Sequence, residues 1–308
     1  MATLNTNTRY LYDLLPRYAE KLLAKLPPHL NKLYMVNSGS EASDLAIRIA
    51  RAHTQRHELM VVAHGYHGHT QTGIEISDYK FNNAKGIGRP EHIVVAPLPT
   101  HINGKFATPI NNNDLVAMAK TALKNFPPVA AFISETILGC AGQVALPPGY
   151  LKAIYPIIRA QGGVCIVDEV QTGFGRMGKT FWAFELQDVV PDIVVMGKPM
   201  GNGHPIGAVA TTDAIAASFE QGVEFFSSFG GNPVSCAIAE SVLDVIAEEG
   251  LQDNALLVGN YYKTQLQELQ KQIPFMADVR GEGLFVGVEI VDATGKPDTA
   301  LARQKLKM

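Results

Sequence analysis

Asp192-Ile-Val-Val-Met-Gly-Lys-Pro-Met-Gly-Asn-Gly-His-Pro-Ile-Gly-Ala208 is the stretch whose reading decides the fold. Four apolar residues, Ile193 to Met196, have the length and β-branching of a buried strand. Lys198 follows two residues later, among Gly201, Gly203, Gly207, Pro199 and Pro205. Solvated lysines ordinarily ride helix faces, where they keep their side-chain entropy. A lysine fixed at a strand end in such a loop is unusual, although a surface lysine in a turn would also fit the local sequence.

Outward from this stretch, further apolar runs of strand length are Leu33 to Val36, Leu59 to Ala63, Ile93 to Ala96, Val129 to Ile133, Val164 to Val167 and Gly207 to Thr212. Helical periodicity covers Tyr10 to Leu26, stopped by Pro27-Pro28, then Glu41 to His57, Asp114 to Asn125, Gly149 to Gln161, Pro233 to Glu249 and Leu251 to Gln272. Strands that are apolar throughout and alternate with helices predict an α/β fold, a mostly parallel sheet covered by helices on both faces. Two more strands, Ala277 to Arg280 and Gly283 to Val291, follow the last helix. The expected division is a large domain over residues 1–250 and the start of a smaller α+β domain over 251–308.

Composition bounds the function. The 308 residues are 46% hydrophobic and 18% charged, ordinary for a soluble globular chain with a sizeable core. A net charge of −3 with no basic block makes nucleic acid or an anionic membrane a poor partner. Three scattered cysteines, Cys140, Cys165 and Cys236, read as reduced thiols in a cytoplasmic compartment. No apolar run approaches the ~20 residues that span a bilayer. Residues 1–9 have no helix or strand of their own, and the tail from Thr294 stops in the opening of a helix, so a fragment of a longer chain is expected.

Several short motifs carry chemistry. Gly39 and Ser40 lie where a strand turns into a helix, whose free N–H groups and positive dipole end suit a phosphate; Ser38 or Ser40 could equally serve as a plain helix cap. Asp168 ends the strand Val164 to Val167, facing the crevice where parallel sheets bind ligands, or else capping the next turn. His64-Gly-Tyr66-His67-Gly-His69 follows another strand. Its two-glycine loop fixes no metal-ligand geometry, whereas Tyr66 suits stacking on a flat ligand. Gly173-Phe-Gly175-Arg-Met-Gly178 matches G-x-G-x-x-G, but four residues separate it from its strand and no clear helix follows. A dinucleotide fingerprint requires that context, so a nucleotide-binding oxidoreductase is not expected. Phe226-Ser-Ser-Phe-Gly-Gly-Asn-Pro233 is a glycine-rich turn with paired hydroxyls. An amine, a strand-end anion, an aromatic plate and a phosphate cup together fit pyridoxal 5'-phosphate.

With these motifs in order, the chain resembles the class III aminotransferases of the fold type I pyridoxal-phosphate enzymes. The resemblance rests on Asn37-Ser-Gly-Ser-Glu-Ala42, Tyr66-His-Gly68, Asp168-Glu-Val-Gln-Thr-Gly-Phe-Gly-Arg176, Gly197-Lys-Pro-Met-Gly-Asn-Gly-His-Pro205 and Gly230-Gly-Asn-Pro233. Within the family, Tyr66 to His69, Ile74 to Ser77, Tyr79 to Phe81 and Asn232 to Cys236 look most like the subgroup containing the ethanolamine-phosphate phospho-lyases. By position, the resemblance implies that Lys198 binds the cofactor aldehyde and Asp168 holds the pyridine nitrogen protonated. Tyr66 and Val170 would sandwich the ring, Gln171 would bond its phenolic oxygen, and Gly39 and Ser40 would cradle the phosphate. Ser228 would reach the cofactor phosphate of a neighbouring subunit, which implies a homodimer with shared active sites.

Glu135-Thr136 stands where many members have Glu-Pro, so the local turn is expected to differ, and Arg280 is expected to be structural. The expected reaction is transfer of an amino group between a primary amine or amino acid and a 2-oxo acid. Elimination of phosphate from a phosphorylated amine uses the same residues and is the alternative. A truncated, non-catalytic dimerising protein is the rival from another class.

Overall fold

The structure, a computed structural model, describes residues 7–98 and 112–305. The expectation that residues 1–9 carry no element therefore lies largely outside the described residues, as does the end of the tail. The strands are β1 (Lys32–Val36), β2 (Leu59–Val62), β3 (Ile93–Ala96), β4 (Ala131–Glu135), β5 (Ile137–Leu138), β6 (Val144–Ala145), β7 (Val164–Asp168), β8 (Ile193–Met196), β9 (Gly207–Thr211), β10 (Met276–Glu282) and β11 (Phe285–Ile290). The helices are α1 (Leu14–Leu23), α2 (Gly39–Thr54), α3 (Gln71–Glu75), α4 (Asp78–Phe81), α5 (Asn112–Leu123), α6 (Tyr150–Ala160), α7 (Asp213–Glu220), α8 (Pro233–Glu248), α9 (Leu251–Gln270) and α10 (Thr299–Lys305).

Seven strands form the central sheet in the order β1-β9-β8-β7-β4-β2-β3. Only β9 runs against its neighbours, so the sheet is mostly parallel, as the apolar strands predict. Residues 197–206 between β8 and β9 are too few for the dozen or more that a parallel crossover needs, which forces the reversal. Side chains alternate between faces. Val61, Ile133, Ile166 and Val195 pack with Ala42, Leu45, Ala46, Ile49 and Ala50 of α2. Met60, Phe132 and Cys165 point the other way, against Leu151, Ile154, Tyr155 and Ile158 of α6. Val167, Val194 and Met196 share that second face with Trp182, Tyr18 of α1 and Ala239 of α8. Each such Val, Ile or Leu contributes about 1.5–3 kcal/mol through burial.

Two elements depart from the sequence reading. The helix expected from Tyr10 to Leu26 is only α1, with Tyr10 and Leu11 before it exposed among the described residues. The strand expected to end at Ile133 continues to Glu135, since ladder pairing with β7 carries on past the last apolar residue. The short helices α3, α4 and α7 and the β5–β6 hairpin have too little apolar periodicity to be read in advance. At the C-terminal end, α9 packs on α8 and on the β10–β11 hairpin, which forms a sheet of its own. A methyl group at Gly259 would lie 2.1 Å from the Gly283 carbonyl oxygen, so only glycine admits that approach. Arg280 donates from Nε to the Gly142 carbonyl oxygen (2.8 Å) and pairs with Asp278 and Glu289, the structural role expected of it.

Candidate active site

Parallel strands end together, so Val36, Val62, Glu135, Asp168 and Met196 bring five loops to one edge of the sheet. The loop after β1 starts α2. Ser38 is the cap, accepting the Glu41 amide at 3.2 Å, while Glu41 accepts the Asn37 amide at 2.8 Å. That leaves Gly39 and Ser40 in the first helical turn, facing the crevice. A side chain at Gly39 would strike Val170 at 2.7 Å, so glycine is needed where the two loops meet.

The loop after β2 holds three histidines in three different roles. The His64 amide donates to Asp78 (2.7 Å), with His64 itself in the left-handed region (φ 64). His67 is buried, and its Nδ1 lies 2.8 Å from Asp168 Oδ2. The His69 amide donates to Ser40 Oγ at 3.2 Å and so ties this loop to the start of α2. Asp168, at the end of β7, accepts the Val170 amide on its other oxygen at 3.0 Å. Its carboxylate is thus held from both sides with lone pairs to spare.

Lys198 begins a 3-10 turn directly after β8 with φ 38, a left-handed backbone conformation that a lysine rarely adopts. Strain of this kind, of order 1–3 kcal/mol, persists where the surroundings over-determine it, commonly at functional sites. Gly173 to Gly178 form turns, and only a 3-10 turn at Ala183–Gln187 follows.

A cavity of about 270 Å3 collects these groups. Gly39, Ser40, Tyr66, Asp168, Val170, Gln171 and Lys198 all line it, seven of the eight site residues expected from sequence. Ser228 does not line it. That residue is exposed, in a loop whose carbonyl oxygen accepts the Thr8 amide at 3.2 Å. Six further residues line it, Ser38, Ser43, His67, Gly68, His69 and Glu135, none of them expected from the sequence as a cofactor-site residue. For His67 the only signal was its place beside Tyr66. For Glu135 it was a carboxylate just beyond an apolar run. Glu135 is buried, and desolvation pushes its carboxyl up to about 7, with the Asp168 charge adding to the rise and His67 opposing it.

A model of the class-III aminotransferase family matches residues 2–306. The chain belongs to the class-III aminotransferases. It is 48% identical over 301 residues to an alanine–glyoxylate aminotransferase 2-like protein of Drosophila melanogaster, covering 94% of this chain and 61% of that protein. The aminotransferase-family chain therefore spans about three fifths of that relative's length. Among solved structures it superposes with a TM-score of 0.88 on a phospholyase from Arthrobacter in complex with phosphoethanolamine, at 36% identity over 97% of this chain and 72% of that one. The ornithine aminotransferase of Toxoplasma gondii, described with PLP partially occupying its active site, matches with a TM-score of 0.80 and 29% identity, over 94% of this chain and 66% of that one.

Pyridoxal 5'-phosphate is the cofactor of this family. The residues present fit it. Ser43 Oγ and His67 Nε2 are buried in the cavity wall with no hydrogen-bond partner among the described residues, leaving capacity for a polar ligand. The first turn of the 16-residue α2 opens on the same space, where an anion is favoured.

Proposed function

We propose that this chain provides the cofactor site of a pyridoxal-phosphate-dependent transaminase that moves an amino group between a primary amine or amino acid and a 2-oxo acid. The observation that carries this reading is Lys198 and Asp168 lining one cavity from adjacent strand ends, the lysine in a strained backbone conformation. The bound cofactor supplies an electron sink for the carbon that carries the amine. Lys198 Nζ would hold the cofactor aldehyde until a substrate amine replaces it there, and the freed amine would then take and return the proton of that carbon. Asp168 presents a fixed negative charge to the ring nitrogen, and His67 orients that charge through Nδ1. Tyr66 and Val170 bound the flat ring from its two sides, Gln171 orients the phenolic oxygen, and Gly39 and Ser40 receive the phosphate. In this reading residues 1–250 form the large cofactor-binding domain and 251–308 belong to the smaller one. The protein is cytoplasmic in this reading, which is supported by three free cysteines.

The site is completed across a homodimer. Supporting this, Ser228 lies outside the cavity of its own chain and is flanked by the exposed rings of Phe226 and Phe229, an apolar surface suited to a partner. A second reaction, elimination of phosphate from a phosphorylated amine such as ethanolamine phosphate, is favoured by the 0.88 superposition on the Arthrobacter phospholyase. The test is to load the protein with pyridoxal phosphate, reduce with borohydride and map the tagged peptide. It is then assayed with amines plus a 2-oxo acid, and separately with ethanolamine phosphate for released phosphate. A tag on Lys198 with amino transfer is expected. Released phosphate without amino transfer would select the lyase, and a tag on another lysine would overturn the assignment.

A further inference from the structure

Glu135 is the cavity-lining acid that the roles above leave unused. It closes β4, sits beside Asp168 in the parallel ladder, and its carboxyl group lines the cavity. Its Oε2 accepts the Tyr66 amide and its Oε1 accepts the Gly139 amide, each at 3.1 Å. Those amides belong to different walls. Tyr66 stands in the loop after β2, and Gly139 opens the β5–β6 turn, which is fastened at its far side by Arg280 on the Gly142 carbonyl oxygen. A side chain at Gly139 would come within 2.4 Å of Gln171 Nε2, so the turn also lies close against a second cavity residue.

We propose that Glu135 is a positioning residue for the aromatic wall of the cavity, its two carboxylate oxygens holding the Tyr66 loop and the Gly139 turn at a set distance from each other. This rests on the cofactor reading above. Ionised, the group accepts both amides in charge-assisted bonds; protonated, it meets one of the amides with a hydroxyl oxygen, a much poorer acceptor. The groups facing it are Asp168 on β7, which favours the proton, His67 beside Tyr66, which opposes it, and the Cys140 thiol on the turn, itself under the fields of Lys198 and Lys80. Burial places the change near pH 7. The wall is therefore firm above neutrality and loosens one amide below it.

The test compares full-length wild type with Glu135→Gln, whose amide has a single acceptor oxygen. Hydrogen exchange of individual amides in cofactor-free protein is expected to speed up by about tenfold at Tyr66 or Gly139, with β3 amides unchanged. Cofactor affinity, titrated by absorbance, is expected to fall about tenfold in the variant. Wild-type affinity should weaken as pH drops from 8 to 6 more steeply than the variant's. If Glu135→Gln fails to fold, Glu135→Asp keeps the charge but not the span. It should lose one amide's protection while retaining the wild-type pH slope. Unchanged exchange at both amides, or the same pH slope in wild type and Gln variant, would overturn the proposal. Wild-type protein that takes up no pyridoxal phosphate would instead defeat the cofactor reading, and the exchange data would still decide Glu135.

Discussion

Replacing His67 with alanine removes the imidazole that lies 2.8 Å from Asp168 Oδ2, a contact made with the histidine side chain at 0% and the aspartate at 5% exposure. A hydrogen bond to a charged group is worth about 1.5–3 kcal/mol net. With the pair buried, no other side chain among the described residues replaces it, and Asp168 keeps the Val170 amide at 3.0 Å. At about 1.4 kcal/mol per decade, His67→Ala should slow the half-reaction with an amine by roughly ten- to a hundredfold. His67→Asn can place a side-chain N–H near the lost Nδ1 and should recover much of this. The assay is single-turnover absorbance change of the loaded enzyme with excess amine, with cofactor affinity titrated in parallel. The reasoning fails if Ala matches wild type, or if Asn and Ala are equally slow while both bind cofactor normally. In the first case the imidazole does not orient the carboxylate, and in the second the loop merely needs its bulk.

Asp168→Asn should still bind cofactor but turn over at least about tenfold more slowly, since the ring nitrogen loses its counter-charge; unchanged turnover would mean that Asp168 faces elsewhere. Glu169 is buried, and desolvation raises its carboxyl to about 7 against its hydrogen bonds from Ala183, Phe184 and Thr172. Its folded form binds a proton that the unfolded chain has released between pH 4.5 and about 7, so its stabilising contribution is complete below 4.5 and lost as pH rises through 7. Glu169→Gln has no such slope, and in urea melts its stability should gain on wild type by about 3 kcal/mol across that window. A constant gap would contradict the raised value. Mixing a Lys198→Ala chain with a Ser228→Trp chain should restore partial activity if sites are shared between subunits, because one site per heterodimer then has both wild-type residues. Heterodimers without activity would put the whole site in one chain.

Much of this protein is determined locally. Ile193 to Met196 and Val164 to Val167 are strands because short β-branched runs bury both faces of a parallel sheet. The covered α/β sheet, the strand-end positions of Asp168 and Lys198 and the helix opening at Gly39 all follow from nearest neighbours in the chain. Tertiary structure decided the rest. His67 and Asp168 are 101 residues apart, and they meet because the parallel strands β2 and β7 flank β4 and end at the same sheet edge, an order set by backbone ladders that carry no side-chain label. Pairing of β4 with β7 makes Glu135 a neighbour of Asp168, a burial no local pattern can register. Gly197, just before the left-handed Lys198, lies against Gly39, where an added methyl group would come within 3.1 Å, an approach between residues far apart in the chain. A pattern of period two says which face a residue takes. Which strand lies beside it, and so which charge, emerges only when non-local pairing has closed the sheet.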